Sequence, residues 1–376
     1  LTEVSLAYGP TQVFFTVEPE ELVCVKDSET TSWISHLSGD NSVQALRAEE
    51  GSTLYIDFRL ALDRKSLGRT IEFMRSTITG AGSLNAVVLS PMHGHEYFGG
   101  LVESKSLHLQ ARTYTGGPAV VLTKATCHPF LDLLGSLGPI AFPAGGRNLI
   151  EMIDQYLGGN HQDAIATLLS QMKAMDPTVS LMLVDGSDPQ GSVLVCTGVD
   201  RISQLLQSAS SAPTSDIPAD VSACVMSLGG GPADYVPSAG IPFVLSALSS
   251  WSCEAKGLVA MWNQSQIDLP LFALAGTPRA GLLSRLEERF DWHDIVSYMV
   301  LNFKSDERVR VVTSMPPILV KKVLGWRVLG TASDLLKSLR RSVSGRFRLA
   351  VVKDACMSFP NTRLDGRETQ DQHHNP

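Results

Sequence analysis

Two histidines, His93 and His95, stand two residues apart in PMHGHEYFGG, directly after the apolar run LNAVVLS. Imidazole is both a common metal ligand and a general acid–base group near neutral pH. Asp57 closes a second apolar run, LYIDF, and puts a carboxylate at a strand end. Together these types could hold a divalent metal that activates water. The same residues admit a plainer reading, with hydrogen-bonded or exposed histidines in a glycine-rich loop and a carboxylate that caps a loop. A structural zinc takes about four donors, and His93, His95 and Asp57 fall short of that set.

Other residues capable of chemistry are scattered. His128, His161 and His293 have no partner at ligand spacing and read as core or surface histidines. SLGGG at 227–231 has the outline of a phosphate loop, but no Lys-Ser/Thr follows, so it reads as a turn. No Gly-x-Ser-x-Gly elbow supports a Ser–His–Asp hydrolase. The strongest charge asymmetry lies at 321–353. Lys321, Lys322, Arg327, Lys337, Arg340, Arg341, Arg346, Arg348 and Lys353 there face Asp334 as the one acid. Lys337, Arg340 and Arg341 fall at i, i+3 and i+4 of DLLKSLRR, so they share one helix face while Leu335, Leu336 and Leu339 point inward. Such a face suits RNA phosphates or an acidic partner; the alternative is a solvated helix face.

The elements that position these residues alternate. Strands are expected within 11–24, 42–58, 84–90, 119–123, 179–184, 192–198 and 220–231, with helices near 64–79 and over 149–175. Farther along, 241–248 reads as a strand, 252–262 as a helix and 269–276 as a strand. A long helix over 280–299 breaks near Asp291, and 346–359 holds a last strand. Alternation of this kind predicts an α/β layered core.

AVVLSPMHGHEYFGGL (86–101) resembles the metallo-β-lactamase signature Ser-His-x-His-x-Asp-His-x-Gly-Gly-Leu. LYIDF stands where that family has a strand ending in Asp. DGSDPQGS (185–192) stands at its Gly-His motif, and VLVCTG (193–198) at its Thr-Gly-Asp strand. The order resembles the β-CASP branch of RNA- and DNA-processing nucleases over most of 40–360. The resemblance implies an αββα sandwich with an inserted second α/β domain. Residues 1–227 would be the metallo-β-lactamase-like domain, 228–345 the β-CASP-like insert, and 346–376 the return strand and a polar tail. It also implies that the strand ends at Asp57, Ser90, Thr123 and Gly198 converge on one edge.

Departures from the signature shape the functional expectation. Pro91, Ser187 and Val199 replace expected ligands. With Asp57, His93 and His95 as remnants, the zinc site is expected to be lost and no cofactor is expected. The pattern resembles the inactive partners of that family, such as the hundred-kilodalton subunit of the cleavage and polyadenylation specificity factor and the ninth Integrator subunit. The implied role is a non-catalytic scaffold in an RNA-processing complex. Its partners would be an active paralogue, other subunits and RNA, in the nucleus or another RNA-containing compartment such as the mitochondrion. Lys321, Lys322, Lys337, Arg340, Arg341, Arg346 and Arg348 are the candidate contacts. Two rivals stand beside it: a divergent active metal-dependent nuclease or hydrolase, and an unrelated α/β enzyme whose histidine loop is a coincidence.

Composition bounds these readings. Of 376 residues, 44% are hydrophobic and 18% charged, which excludes a disordered chain. A net charge of −7 argues against a chain coated overall in nucleic acid. No apolar run reaches the roughly 18 residues of a membrane span, and the start LTEVSLAYGP carries no signal-peptide pattern. The six cysteines are scattered without a CxxC pair and are expected to be buried free thiols in a reducing compartment.

Overall fold

Runs such as LYI, AVVL and LMLV are apolar at every position, which suits strands covered on both faces, as in parallel sheets. The computed structural model describes residues 1–26, 33–34, 53–57, 85–89, 110–111, 119–126, 128–185, 193–209, 217–262, 279–302 and 308–356. In it these runs build two six-stranded sheets and a hairpin. The hairpin pairs β1 (Thr2–Tyr8) with β2 (Thr11–Val17).

The first sheet contains β4 (Thr53–Asp57), β5 (Asn85–Leu89), β6 (Gln110–Ala111), β7 (Ala119–Ala125), β8 (Ser180–Asp185) and β9 (Val193–Thr197). Their order is β6-β5-β4-β7-β8-β9, parallel throughout except for antiparallel β9. Leu54, Tyr55 and Ile56 are fully buried. Helices α1 (Pro129–Ala141), α2 (Arg147–Leu157) and α3 (His161–Met175) lie between β7 and β8, and α4 (Val199–Ala209) follows β9.

The second sheet contains β3 (Leu22–Lys26), β10 (Ala223–Ser227), β11 (Ala255–Val259), β12 (Val309–Val312), β13 (Arg327–Leu329) and β14 (Leu349–Val352). The order is β13-β12-β11-β10-β14-β3, all parallel. Its helices are α5 (Pro232–Tyr235), α6 (Pro237–Ser250), α7 (Arg279–Glu288), α8 (Trp292–Asn302), α9 (Pro317–Leu324) and α10 (Ala332–Arg340). Strand side chains alternate between faces. Ala223, Val225, Leu349 and Val351 meet α10 and the hairpin in a smaller core. Cys224, Met226, Ala350 and Val352 join a larger core that also takes in Leu54, Ile56 and Val121 of the first sheet.

The α/β class is as expected, but the finer architecture is not shown. Two largely parallel sheets with helical crossovers stand where a metallo-β-lactamase sandwich with a β-CASP insert was expected. The second sheet draws strands from each of the segments 1–227, 228–345 and 346–376. Among the elements, 241–248 is helical, within α6, and 255–259 is strand β11. A run apolar on every side fits a buried helix as well as a buried strand, and the neighbours decide between them. The break near Asp291 is present, between α7 and α8. The expected strand at 269–276 and helix near 64–79 lie outside the described residues. Among the described residues, no helix is long and apolar enough to cross a membrane.

Candidate active site

In parallel α/β sheets, ligands bind at the carboxyl ends of strands where the chain order reverses. The first sheet reverses between β4 and β7: the chain runs outward through β5 and β6, then returns to the other side of β4. Asp57 ends β4 there, fully buried, and its Oδ2 accepts the Thr123 hydroxyl of β7 at 2.7 Å. Beyond β7, the buried Asp132 of α1 accepts from the Thr126 amide at 2.7 Å and from Trp33 Nε1 at 2.9 Å. These bonds pin the start of α1 to the carboxyl edge.

The second sheet reverses between β10 and β14. Ser227 ends β10 and donates its hydroxyl to the Lys353 carbonyl at 2.8 Å. The glycine turn follows, with Gly229 at φ +84° and the Asp354 carboxylate where a Cβ would sit. Asp234 closes this turn, accepting from the Gly9 amide at 2.8 Å and the Met261 amide at 2.7 Å. Burial pushes its carboxyl above the usual range, against the pull of the Gly9, Met261 and Gly230 amides. A carboxylate already occupies this backbone, so the turn is not a phosphate cradle.

The two sheets share the larger core. Cys356, just past β14, is buried, which pushes its thiol well up; Asp354 adds to this and Lys124 opposes it. Asp234 and Asp132 push the same way as Asp354, so groups from both carboxyl edges act on one sulfur.

His128 links a helix of the first sheet to one of the second. It caps α1 just before Pro129, with Nδ1 accepting from the Leu131 amide at 3.5 Å. In that tautomer Nε2 carries the proton. Ser246 Oγ of α6 stands 3.0 Å from Nε2, and the Tyr156 hydroxyl of α2 stands 3.2 Å from it. All three residues are buried. Tyr156 stacks between Phe130 at 4.3 Å and His161 at 4.9 Å. His161 keeps an exposed side, while burial of the rest pushes its imidazole below the usual value. A neutral imidazole touching two hydroxyls can relay a proton.

His93 and His95 lie outside the described residues; Leu89, the last described residue before them, is paired with Asp57. Asp57 is at the switch point, bonded to Thr123. Gly198 does not join Asp57, because β9 runs antiparallel and Thr197 is paired with Ser180 at the other end of β8. Among the described residues, no group of three His, Cys, Asp or Glu is placed to hold a metal.

The basic segment is split by the second sheet. α9, with Lys321 and Lys322, buries Val320 and Leu324 in the larger core. α10 buries Leu335, Leu336 and Leu339, as expected, but in the smaller core on the opposite face. Arg340 is engaged by Glu21, at 3.1 and 2.5 Å, and lies over Phe347. Arg348 pairs with Asp220 at 2.6 Å. Lys337, Arg341 and Arg346 are exposed. The crossover α9–β13–α10 carries neighbouring cations to different sides, which spacing along one helix does not reveal. Cys24, Cys196, Cys224, Cys253 and Cys356 are free, and all but Cys24 are buried.

His128, Tyr156 and Ser246 were not grouped from the sequence. The available signal was His128-Pro129, a capping residue before a proline at the first helical position.

The fold defines a two-sheet, largely parallel α/β protein. No family model matches the chain, and no curated protein matches it. Among solved structures it is similar to the lactate racemase apoprotein from Thermoanaerobacterium thermosaccharolyticum. The TM-score is 0.59 and the identity 13%, over 96% of this chain and 100% of that one. At that identity the likeness is one of fold.

Proposed function

We propose that the chain is an α/β enzyme of small-molecule acid–base chemistry, with a small hydroxy acid as its substrate class. This is the third of the sequence readings, in which the histidine loop resembles a metallo-β-lactamase by coincidence. The observation that carries it is the buried His128–Ser246–Tyr156 cluster, which joins α1 and α2 of the first sheet to α6 of the second. The hydroxy-acid class comes from the named activity of the similar fold. His128 would pass its Nε2 proton toward the substrate by way of the Ser246 or Tyr156 hydroxyl, with Nδ1 held by the Leu131 amide.

The test uses full-length protein with the two enantiomers of lactate and related 2-hydroxy acids in D2O. Enantiomer composition, deuterium incorporation and ligand-detected NMR are the readouts. Wild type should bind and turn over at least one acid. His128→Asn retains a capping oxygen and should cut the rate by about 10²–10⁴-fold. Absence of both binding and turnover across the set in wild type would overturn the reading.

A second reading is favoured by the exposed cations Lys337 on α10 and Arg341 at its C-terminal cap. It keeps the scaffold role, with RNA or an acidic subunit as partner. Replacing both by Ala should weaken RNA binding and lower its salt slope by about one counterion per lost contact. An unchanged slope, with unchanged co-purifying chains, removes this reading.

A further inference from the structure

His128 and His161 stand far apart in the sequence, yet their ring centroids lie 5.7 Å apart, tilted by 53°. Tyr156 joins them. Its hydroxyl is 3.2 Å from His128 Nε2, and its ring stacks on His161 at 4.9 Å and 29°. The two imidazoles differ in environment. His128 is buried, edge-on to Phe243 at 6.3 Å, with Ser246 Oγ on Nε2. His161 opens α3 at the surface and is exposed.

We propose that His161 is the pH sensor of the His128 cluster: its imidazolium, formed at the surface, places a positive charge against Tyr156 that opposes protonation of the buried His128 ring. The inference rests on the acid–base reading above only for its bearing on turnover, since the coupling needs no substrate.

The ring geometry supplies the coupling. Charges about 6 Å apart interact appreciably at an effective dielectric of about 20, and burial of one partner limits screening by salt. An exposed imidazole takes up a proton more readily than a buried one, so His161 charges first. Partial burial of its ring lowers its proton affinity, and the positive amino end of α3 acts in the same direction. His161 is therefore neutral near pH 7 and charges as the pH falls below about 6.5. Charged groups on the helices packed against α3 are engaged elsewhere or exposed. Asp132 of α1 is held by Thr126 and Trp33, and Asp154 of α2 by Tyr298. Arg147 of α2 pairs with Glu287. On α4, Asp200 pairs with Lys173 toward the other end of α3, and Arg201 bonds Gln204. Glu151 of α2 and Asp163 in the first turn of α3 are exposed.

The experiment follows the Cε1–Hε1 NMR signals of the nine histidines in substrate-free, full-length protein as the pH is lowered, with His128 and His161 assigned by substitution. In wild type the His128 signal should move in step with His161 and then titrate itself at lower pH. In His161→Phe, which keeps a stacked ring, the first movement should vanish. The His128 midpoint should then rise by about half a pH unit or more. His161→Gln, polar and uncharged, should give the same rise, because charge and not stacking is sensed. A His128 midpoint that is absent or unchanged in both variants, or that rises in one alone, overturns the proposal. Turnover of hydroxy acids is measured separately, so this coupling and the acid–base reading can fail independently.

Discussion

Asp57 illustrates how a residue's role follows from its neighbours. A fully buried carboxylate at the end of β4 needs donors, and the Thr123 hydroxyl supplies one at 2.7 Å. Thr123→Val keeps the shape and removes that donor, so it should destabilise the fold by about 1–3 kcal/mol. Urea unfolding measures this, and an unchanged midpoint would refute the assignment. His161 makes a pH prediction. Burial lowers its folded pKa below the ordinary histidine value of 6.5, so the unfolded chain binds the proton more readily. Stability should therefore fall as pH drops below about 6.5 and level off below the folded pKa. His161→Asn should flatten that part of the profile, read from urea midpoints between pH 7.5 and 5. An unaltered slope would show that the imidazole does not gate acid stability.

Elements meet where side chains permit. Gly138 in α1 has the Phe290 ring 2.6 Å from where a Cβ would stand, so α1 lies close to the segment that opens α8. Gly138→Ala improves helix propensity yet forces that ring away, and the net effect should be a loss of about 1–3 kcal/mol. A thermal midpoint equal to or above wild type would contradict this close approach. α10 was legible as an amphipathic helix because Leu335, Leu336 and Leu339 repeat at helical spacing, and all three are buried. α6 was not, since its run IPFVLSAL is buried all along and carries no period that separates helix from strand. β11 was missed for the complementary reason. Its five residues lie between β10 and β12, and burial on both sides removes the alternation that marks a strand.

At the scale of the whole molecule, the larger core joins the sheets. Leu54 and Val121 of the first sheet share it with Met226, Leu258 and Val311 of the second. The two sheets should therefore unfold in one cooperative transition. Circular dichroism and tryptophan fluorescence should report the same urea midpoint. Two separated transitions would mean that each sheet carries an independent core.

The sequence by itself determined the α/β class, most strand positions, the paired helices of 149–175, the break near Asp291 and the buried leucines of α10. Each follows from local periodicity and from breakers such as Gly and Pro, which act within a few residues. Tertiary structure decided the strand order, the distribution of the second sheet over both ends of the chain, and the meeting of His128 with Ser246. It also decided that Lys321 and Lys337 serve opposite faces of a sheet, and that Arg340 spends its charge on Glu21. These depend on contacts between residues far apart in the chain, such as β14 inserted between β10 and β3. A motif order shared with another family constrains none of them, because the same strand–loop pieces fit more than one sheet order.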